Sequence, residues 1–230
     1  VYSRTMASAK MLTEAIGGQH VDDVADLPKE ADAYIIAVKD AVLAEVIAAV
    51  TKGREEQVFL HTAGSMPMEI FQGKACHYGV FYPMQTFSKE RLADFSEIPV
   101  FLECSDDKVR AVAMPLAESI TKRVCQLSSG DRRYLHLAAV FACNFANHCY
   151  AIAAEILERH GIDFNVMLPL IDETARKVHQ LHPLKAQTGP AVRYDENVIQ
   201  YQMQLLEGDP AVKYLYESLS LHIHQKASQR

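Results

Sequence analysis

The segment ADAYIIAVKDAVLAEVIAAVTKG, Ala31–Gly53, decides how the chain is to be folded. Ala31–Val38 is an apolar run of strand length, and the residues after it place apolar side chains at helical spacing until Gly53 stops them. A strand apolar on both faces that feeds directly into a helix is the repeating unit of a parallel sheet covered on both sides. The same alternation continues outward. Gln57–Ser65 reads as strand into turn, followed by a short helix started at Pro67. His77–Met84 and Pro99–Ser105 read as strands, and Asp106 and Asp107 open a helix that runs to about Thr121. Arg123–Ser128 closes the series. The expected fold class is α/β, a Rossmann-like parallel sheet.

At Ser129-Gly130-Asp131 the pattern changes. Tyr134–Gly161 keeps helical periodicity for about seven turns, and shorter helices follow at Asp163–Gln180, Asp195–Glu207 and from Asp209 onward. Two domains are expected: residues 1–128, dinucleotide-binding, and residues 129–230, all-helical. The apolar content of the second is high for a single packed layer, which assigns it to a homodimer interface.

Composition removes several function classes. A formal net charge of −6 with no basic block excludes a surface built to grip nucleic acid or an acidic membrane. No apolar run approaches the ~18 residues of a membrane span, and no secretory leader opens the sequence. Cys76, Cys104, Cys125, Cys143 and Cys149 are scattered and form no Cys-x-x-Cys pair, so reduced thiols in a cytoplasmic protein are expected. The pairs His179/His182 and His222/His224 lack an acidic or cysteine partner at ligand spacing, so no metal site is expected.

The opening stretch VYSRTMASAKMLTEAIG, Val1–Gly17, reads as the end of a strand, a polar turn and a helix. In a Rossmann unit the second strand ends beside the adenosine ribose, where an acid selects NAD and an arginine accommodates the 2′-phosphate of NADP. Here that place holds Ser3-Arg4-Thr5. A guanidinium fork, two hydroxyls and a helix N-terminus are donors suited to phosphate; the other reading is a surface arginine at a turn. No Gly-x-Gly-x-x-Gly turn occurs anywhere in the sequence. The expectation is that the sequence begins inside the fold, with a first strand and its glycine loop preceding Val1.

Five segments in order, HTAGSMPMEIF (His61–Phe71), GVFYPMQTFS (Gly79–Ser88), IPVFLECSDD (Ile98–Asp107), LHLAAVFACNFANHCYAIAAEIL (Leu135–Leu157) and LKAQTGPAVRYDENVI (Leu184–Ile199), resemble a bacterial family of NADP oxidoreductases. Its members join a Rossmann-like domain to a helical one and share no agreed substrate. The resemblance implies a more distant relation to pyrroline-5-carboxylate reductase, ketopantoate reductase and the 6-phosphogluconate dehydrogenase group. It also implies that Val38 and Lys39, with Asp40, line the cofactor's edge, and that Thr86, with Pro83 and Gln85, walls the nicotinamide pocket. Asp40 reads equally as a helix cap.

The residues themselves add further candidates. Ser65, at the carboxyl end of a strand, can hydrogen-bond a nicotinamide amide or a substrate oxygen, or cap the helix at Pro67. His61, earlier in that strand, reads as a core histidine. His136, Val140, Asn144 and Asn147 share an ~80° arc of one helix face, and asparagines within a helix call for partners. Interhelical hydrogen bonds are one explanation. The other, implied by the related dehydrogenases, is a stripe facing substrate, with His136 as proton donor and Asn144 and Asn147 as polar contacts. Arg193 is suited to clamp a substrate carboxylate.

The reading is an NADP-dependent reductase or dehydrogenase acting on a small, carboxylate-bearing carbonyl or imine compound. The alternative is a protein that binds NADP or a metabolite without turnover.

Overall fold

The computed structural model describes residues 1–88 and 91–229. By their contacts these form two compact units, Val1–Asn144 and Phe145–Arg230; the compositional change at Ser129 falls within the first.

The first unit is built on a five-stranded sheet in the order β1 (Tyr34–Ile36), β2 (Val58–His61), β3 (His77–Pro83), β4 (Val100–Cys104), β5 (Val124–Gln126). Strands β1, β2 and β3 are parallel, and β4 pairs with β5 in parallel. The expectation of a wholly parallel sheet is corrected at one place: β3 and β4 are antiparallel, with Val80 opposite Glu103 and Pro83 opposite Val100. Among its described residues the only helical turn in the connection between them is a 3-10 helix, Phe95–Glu97, whereas a parallel return calls for a longer crossover element.

Pairing sorts the side chains into two faces. Val58, Leu60, Phe81, Val100 and Leu102 pack under α3 (Asp107–Ile120) against Val109, Ala113 and Ala117. A Cβ at Gly79 would lie 2.4 Å from the Glu103 carbonyl oxygen and 3.0 Å from Val109, so only glycine lets helix and sheet approach this closely there. The other face carries Ile36 and Phe59, which pack with Phe71 against Leu43, Ile47 and Val50 of α2 (Asp40–Thr51). Tyr34 stacks on Phe59 at 4.9 Å, and Phe71 on Tyr78 at 5.7 Å.

Ahead of β1, helix α1 (Met6–Ile16) follows a short extended segment in which Tyr2 bridges Val21 in parallel. An apolar groove of about 460 Å³, lined by Val1 and Tyr2 on one side and by Tyr34, Ile35 and Ile36 on the other, separates that bridge from β1. Among the described residues, no strand pairs with the outer edge of β1.

After β5, Ser128 caps α4 (Ser129–Ala139) by accepting from the Asp131 N–H. A six-residue π-helical segment, Val140–Phe145, follows and leads into α5 (Ala146–Arg159). The uninterrupted helix Ser129–Arg159 is long and apolar enough to cross a membrane by length and composition. This corrects the expectation that no such stretch exists. The sequence signal was diluted because Arg132, Arg133, His136 and two asparagines punctuate the run.

The second unit is helical: α5 is followed by α6 (Leu168–Gln180), the single turns α7 (Pro183–Ala186) and α8 (Pro190–Arg193), α9 (Glu196–Leu205) and α10 (Pro210–Ser228). Among its described residues only Ala191, Ile199 and Ser220 are less than a tenth exposed.

Candidate active site at the carboxyl edge of the sheet

Three parallel strands end at the same edge, and ligands of open α/β sheets bind there. β1 runs into Ala37-Val38-Lys39, all exposed, and Asp40 opens α2. Asp40 is the first residue of α2 and not its cap. Its carboxylate instead accepts a short hydrogen bond from the Ser65 hydroxyl. The helix-cap readings of both residues therefore give way to a tie between the loops after β1 and β2.

His61, the last residue of β2, is fully buried. Its Nδ1 accepts from the Ala63 N–H at 3.1 Å, which bends the chain into the Thr62–Ser65 loop. Burial, with the Arg132 charge acting in the same direction, pushes this imidazole down to about 4. It is therefore neutral near pH 7, as an Nδ1 acceptor must be.

Beyond His61 the loop brings Gly64 against α4. A Cβ at Gly64 would lie 2.7 Å from His136 Nδ1 and 2.8 Å from Tyr82 Cζ. No side chain larger than hydrogen fits unless His136 or Tyr82 moves. Tyr82, near the end of β3, places its hydroxyl 3.2 Å from His136 Nδ1, and the two rings meet edge to face. Burial pushes the Tyr82 phenol above its ordinary value, so the hydroxyl stays protonated. The second ring nitrogen of His136 has no protein partner among the described residues.

One turn before His136, Arg132 anchors α4 to the sheet. It is 1% exposed, and its guanidinium donates to Glu103 Oε2 at 2.5 Å and to the Met66 carbonyl at 2.6 Å. Ser129 completes the cluster: its N–H and hydroxyl both donate to Glu103, and its oxygen accepts from the Met68 N–H. The loop carrying Gly64 and Ser65 and the helix carrying His136 are thus held by one buried ion pair.

Against this edge lies a cavity of about 540 Å³, lined by Tyr82 and Met84–Phe87 after β3 and by α4 and the π-helical segment from Leu135 to Asn144. The structure therefore brings His136, Asn144 and Thr86 to one cavity, with Ser65 beside Gly64 in the adjoining loop. π-helical turns are concentrated at functional sites because they displace side chains from the α-helical register. Asn144 and Asn147 are exposed, and their side chains form no hydrogen bond among the described residues. Asn147 belongs to the second unit and does not line this cavity. Arg193 is also in the second unit, exposed at the end of α8. Arg4 is exposed and forms no ion pair among the described residues, and Ser3 and Thr5 flank it ahead of α1. The residues that sequence reasoning missed are Tyr82, Gly64 as a contact to His136, and the Arg132–Glu103 pair.

A parallel strand edge, a polar loop and a histidine-bearing helix form a candidate ligand site. Comparison with known proteins agrees with the Rossmann-like fold. Residues 98–223 match the family described as a domain of unknown function, DUF2520, and the chain belongs to that family. A Bacteroides fragilis protein of known structure, provisionally named an NADP oxidoreductase, is 51% identical over 98% of this chain and 87% of that one, with a TM-score of 0.93. A Thermotoga maritima protein shares the fold at 22% identity over 99% of this chain and 90% of its own, with a TM-score of 0.79. Pyrroline-5-carboxylate reductase from Coxiella burnetii shares it at 16% identity over 100% and 87% of the two chains, with a TM-score of 0.55. No match was found among curated proteins.

Proposed function

We propose that this chain is part of an NADP-dependent oxidoreductase that interconverts a small carbonyl or imine compound and its reduced form, with His136 exchanging the proton. The observation that supports this most is the His136–Tyr82 contact at 3.2 Å, packed closely against Gly64, in a cavity at the carboxyl edge of β1–β3. The name of the Bacteroides fragilis relative supports the cofactor class.

The residues present fit two ends of the cofactor. Arg4, without an ionic partner among the described residues, lies beside two hydroxyls and a helix whose first turn has no acid, a donor set suited to a 2′-phosphate. At the other end, Ser65 and Thr86 offer hydroxyls to a carboxamide. Val38 and Lys39 border the edge between. The sequence holds no Gly-x-Gly-x-x-Gly turn, so no residue here is assigned to a pyrophosphate. Nicotinamide, when bound, supplies or accepts the hydride.

Protonated His136 donates Nδ1–H to the Tyr82 oxygen, which fixes the ring and leaves Nε2–H for the substrate heteroatom. Passing that proton to a forming alkoxide or amine leaves neutral imidazole, which is reprotonated from solvent. Asn144 supplies an amide at the same cavity.

The chain works as a homodimer through its helical unit. Tyr201, Leu205 and Tyr214 of that unit are each more than 60% exposed, an apolar surface that a second copy would cover.

Protein expressed from the native gene should bind NADPH more tightly than NADH, and Arg4→Ala should remove most of that gap. Equal affinities would overturn the cofactor assignment. Tight NADPH binding with no oxidation by any aldehyde, ketone or imine in a broad panel would make the protein a sensor.

A further inference from the structure

The cavity beside His136 contains no lysine, arginine, aspartate or glutamate among the described residues that line it. Leu135, Ala138, Ala139 and Ala142 form the helical wall, and Met84 and Phe87 form the wall after β3. The polar atoms there belong to His136, Tyr82 and a few neutral groups. Among the described lining residues His136 is the one that can become a cation, and its Nδ1 is already engaged by Tyr82. A carboxylate entering this space would shed water without an ionic partner, unless it took the nitrogen that the reacting atom requires.

Size points the same way. About 540 Å³ is enough to hold the nicotinamide ring beside Thr86 and still leave room for a ring-sized substituent on the substrate. Alanine at 138, 139 and 142 leaves that width open, and Phe87, 52% exposed, offers an aromatic face to it.

We infer that the substrate pocket takes an uncharged carbonyl or imine compound whose aryl or branched alkyl group packs on Ala139, Ala142 and Phe87, in preference to a small carboxylate anion. This rests on the oxidoreductase reading for the identity of the reacting group. It narrows the substrate to neutral, apolar-substituted molecules.

The test measures binding to the full chain without cofactor, by ligand-observed NMR titration. Acetophenone and benzoylformate serve as probes, since they differ by a carboxylate in place of a methyl group. Acetophenone should bind at least tenfold more tightly. Ala142→Leu, which fills the helical wall, and Phe87→Ala, which removes the aromatic face, should each weaken acetophenone at least fivefold; two variants guard against one that fails to fold. Equal or tighter binding of benzoylformate, no detectable binding of either probe, or indifference to both variants would overturn the inference. The oxidoreductase reading fails separately: selective acetophenone binding, with no NADPH oxidation by any neutral ketone, aldehyde or imine in the native-gene protein, sinks that reading and leaves the pocket chemistry standing.

Discussion

His136 Nδ1 and the Tyr82 hydroxyl are 3.2 Å apart, and the Cβ that Gly64 lacks would fall 2.7 Å from that nitrogen. Three elements distant in sequence thus converge on one imidazole. Gly64→Ala should displace the ring and lower kcat about a hundredfold, because a misplacement near 1 Å is enough to do so. His136→Ala should lower kcat by about 10²–10⁴, with NADPH affinity unchanged, since proton delivery acts only in the transition state. Tyr82→Phe should reduce kcat less and shift the His136 ring nitrogens in NMR spectra toward a tautomer mixture. Wild-type turnover in His136→Ala would move the proton donor elsewhere.

The Arg132–Glu103 pair makes a thermodynamic prediction. Removing one partner of a buried ion pair strands the other charge and typically costs about 3–5 kcal/mol. Arg132→Met should fall in this range by urea denaturation, and Glu103→Gln should cost less, because Gln retains acceptor capacity for Ser129. The double variant should be less destabilised than the sum of the singles, as expected for groups in direct contact. Strict additivity would show that the pair does not act as a unit.

The strands could be read from apolar runs punctuated by helices; β2 and the middle of β3, buried on both faces, carry that signal most clearly. The reversal of β4 could not, since strand direction depends on whether the connection forms a helix, and residues 84–99 hold no long periodic pattern. The cavity helix was legible through His136 and Asn144. Tyr82 was hidden inside an apolar strand, where an aromatic ring is the ordinary occupant and only the partner across space reveals the hydroxyl's role. Arg132 was hidden for the opposite reason: an arginine in the first turns of a helix normally lies in solvent, and its burial follows from Glu103, a residue that a strand pattern gives no cause to pair with it.

His61 predicts a pH dependence. Its folded-state value of about 4 lies below the ordinary 6.5, so the unfolded chain takes up a proton that the folded protein refuses. The associated stability is fully present above pH ~6.5, declines as pH falls toward ~4, and amounts to about 3 kcal/mol. Asp106 acts lower on the scale. Burial alone would raise it, but the Ser105 hydroxyl, the Val109 N–H and His77 outweigh burial and hold it at about 2. Its contribution is present above pH ~3.8 and is lost as pH falls from there through about 2, mostly outside the His61 window. His61→Gln should therefore flatten the stability profile between pH 6.5 and 4 while leaving the decline below it. An unchanged slope in that window would mean that His61 takes up its proton in the folded state.

The helical unit should not stand alone. Tyr201, Leu205 and Tyr214 are each more than 60% exposed, and Ile152, Ile156, Val212, Leu215 and Leu219 line an apolar groove within the unit. An α-helical unit with three buried residues among those described has too little buried area of its own to offset the entropy of ordering its chain. In the proposed dimer a second copy would supply the missing contact. Light scattering behind size exclusion should give twice 25.7 kDa for this chain at micromolar concentration. Leu205→Asp, which puts a charge into the shared apolar surface, should weaken association by about a hundredfold, or roughly 3 kcal/mol, and lower the melting temperature along with it. A well-folded monomer at high concentration would refute the dimer. Partition of the chain into detergent or membranes, with no soluble dimer, would refute it as well and turn attention to the helix Ser129–Arg159 as a span.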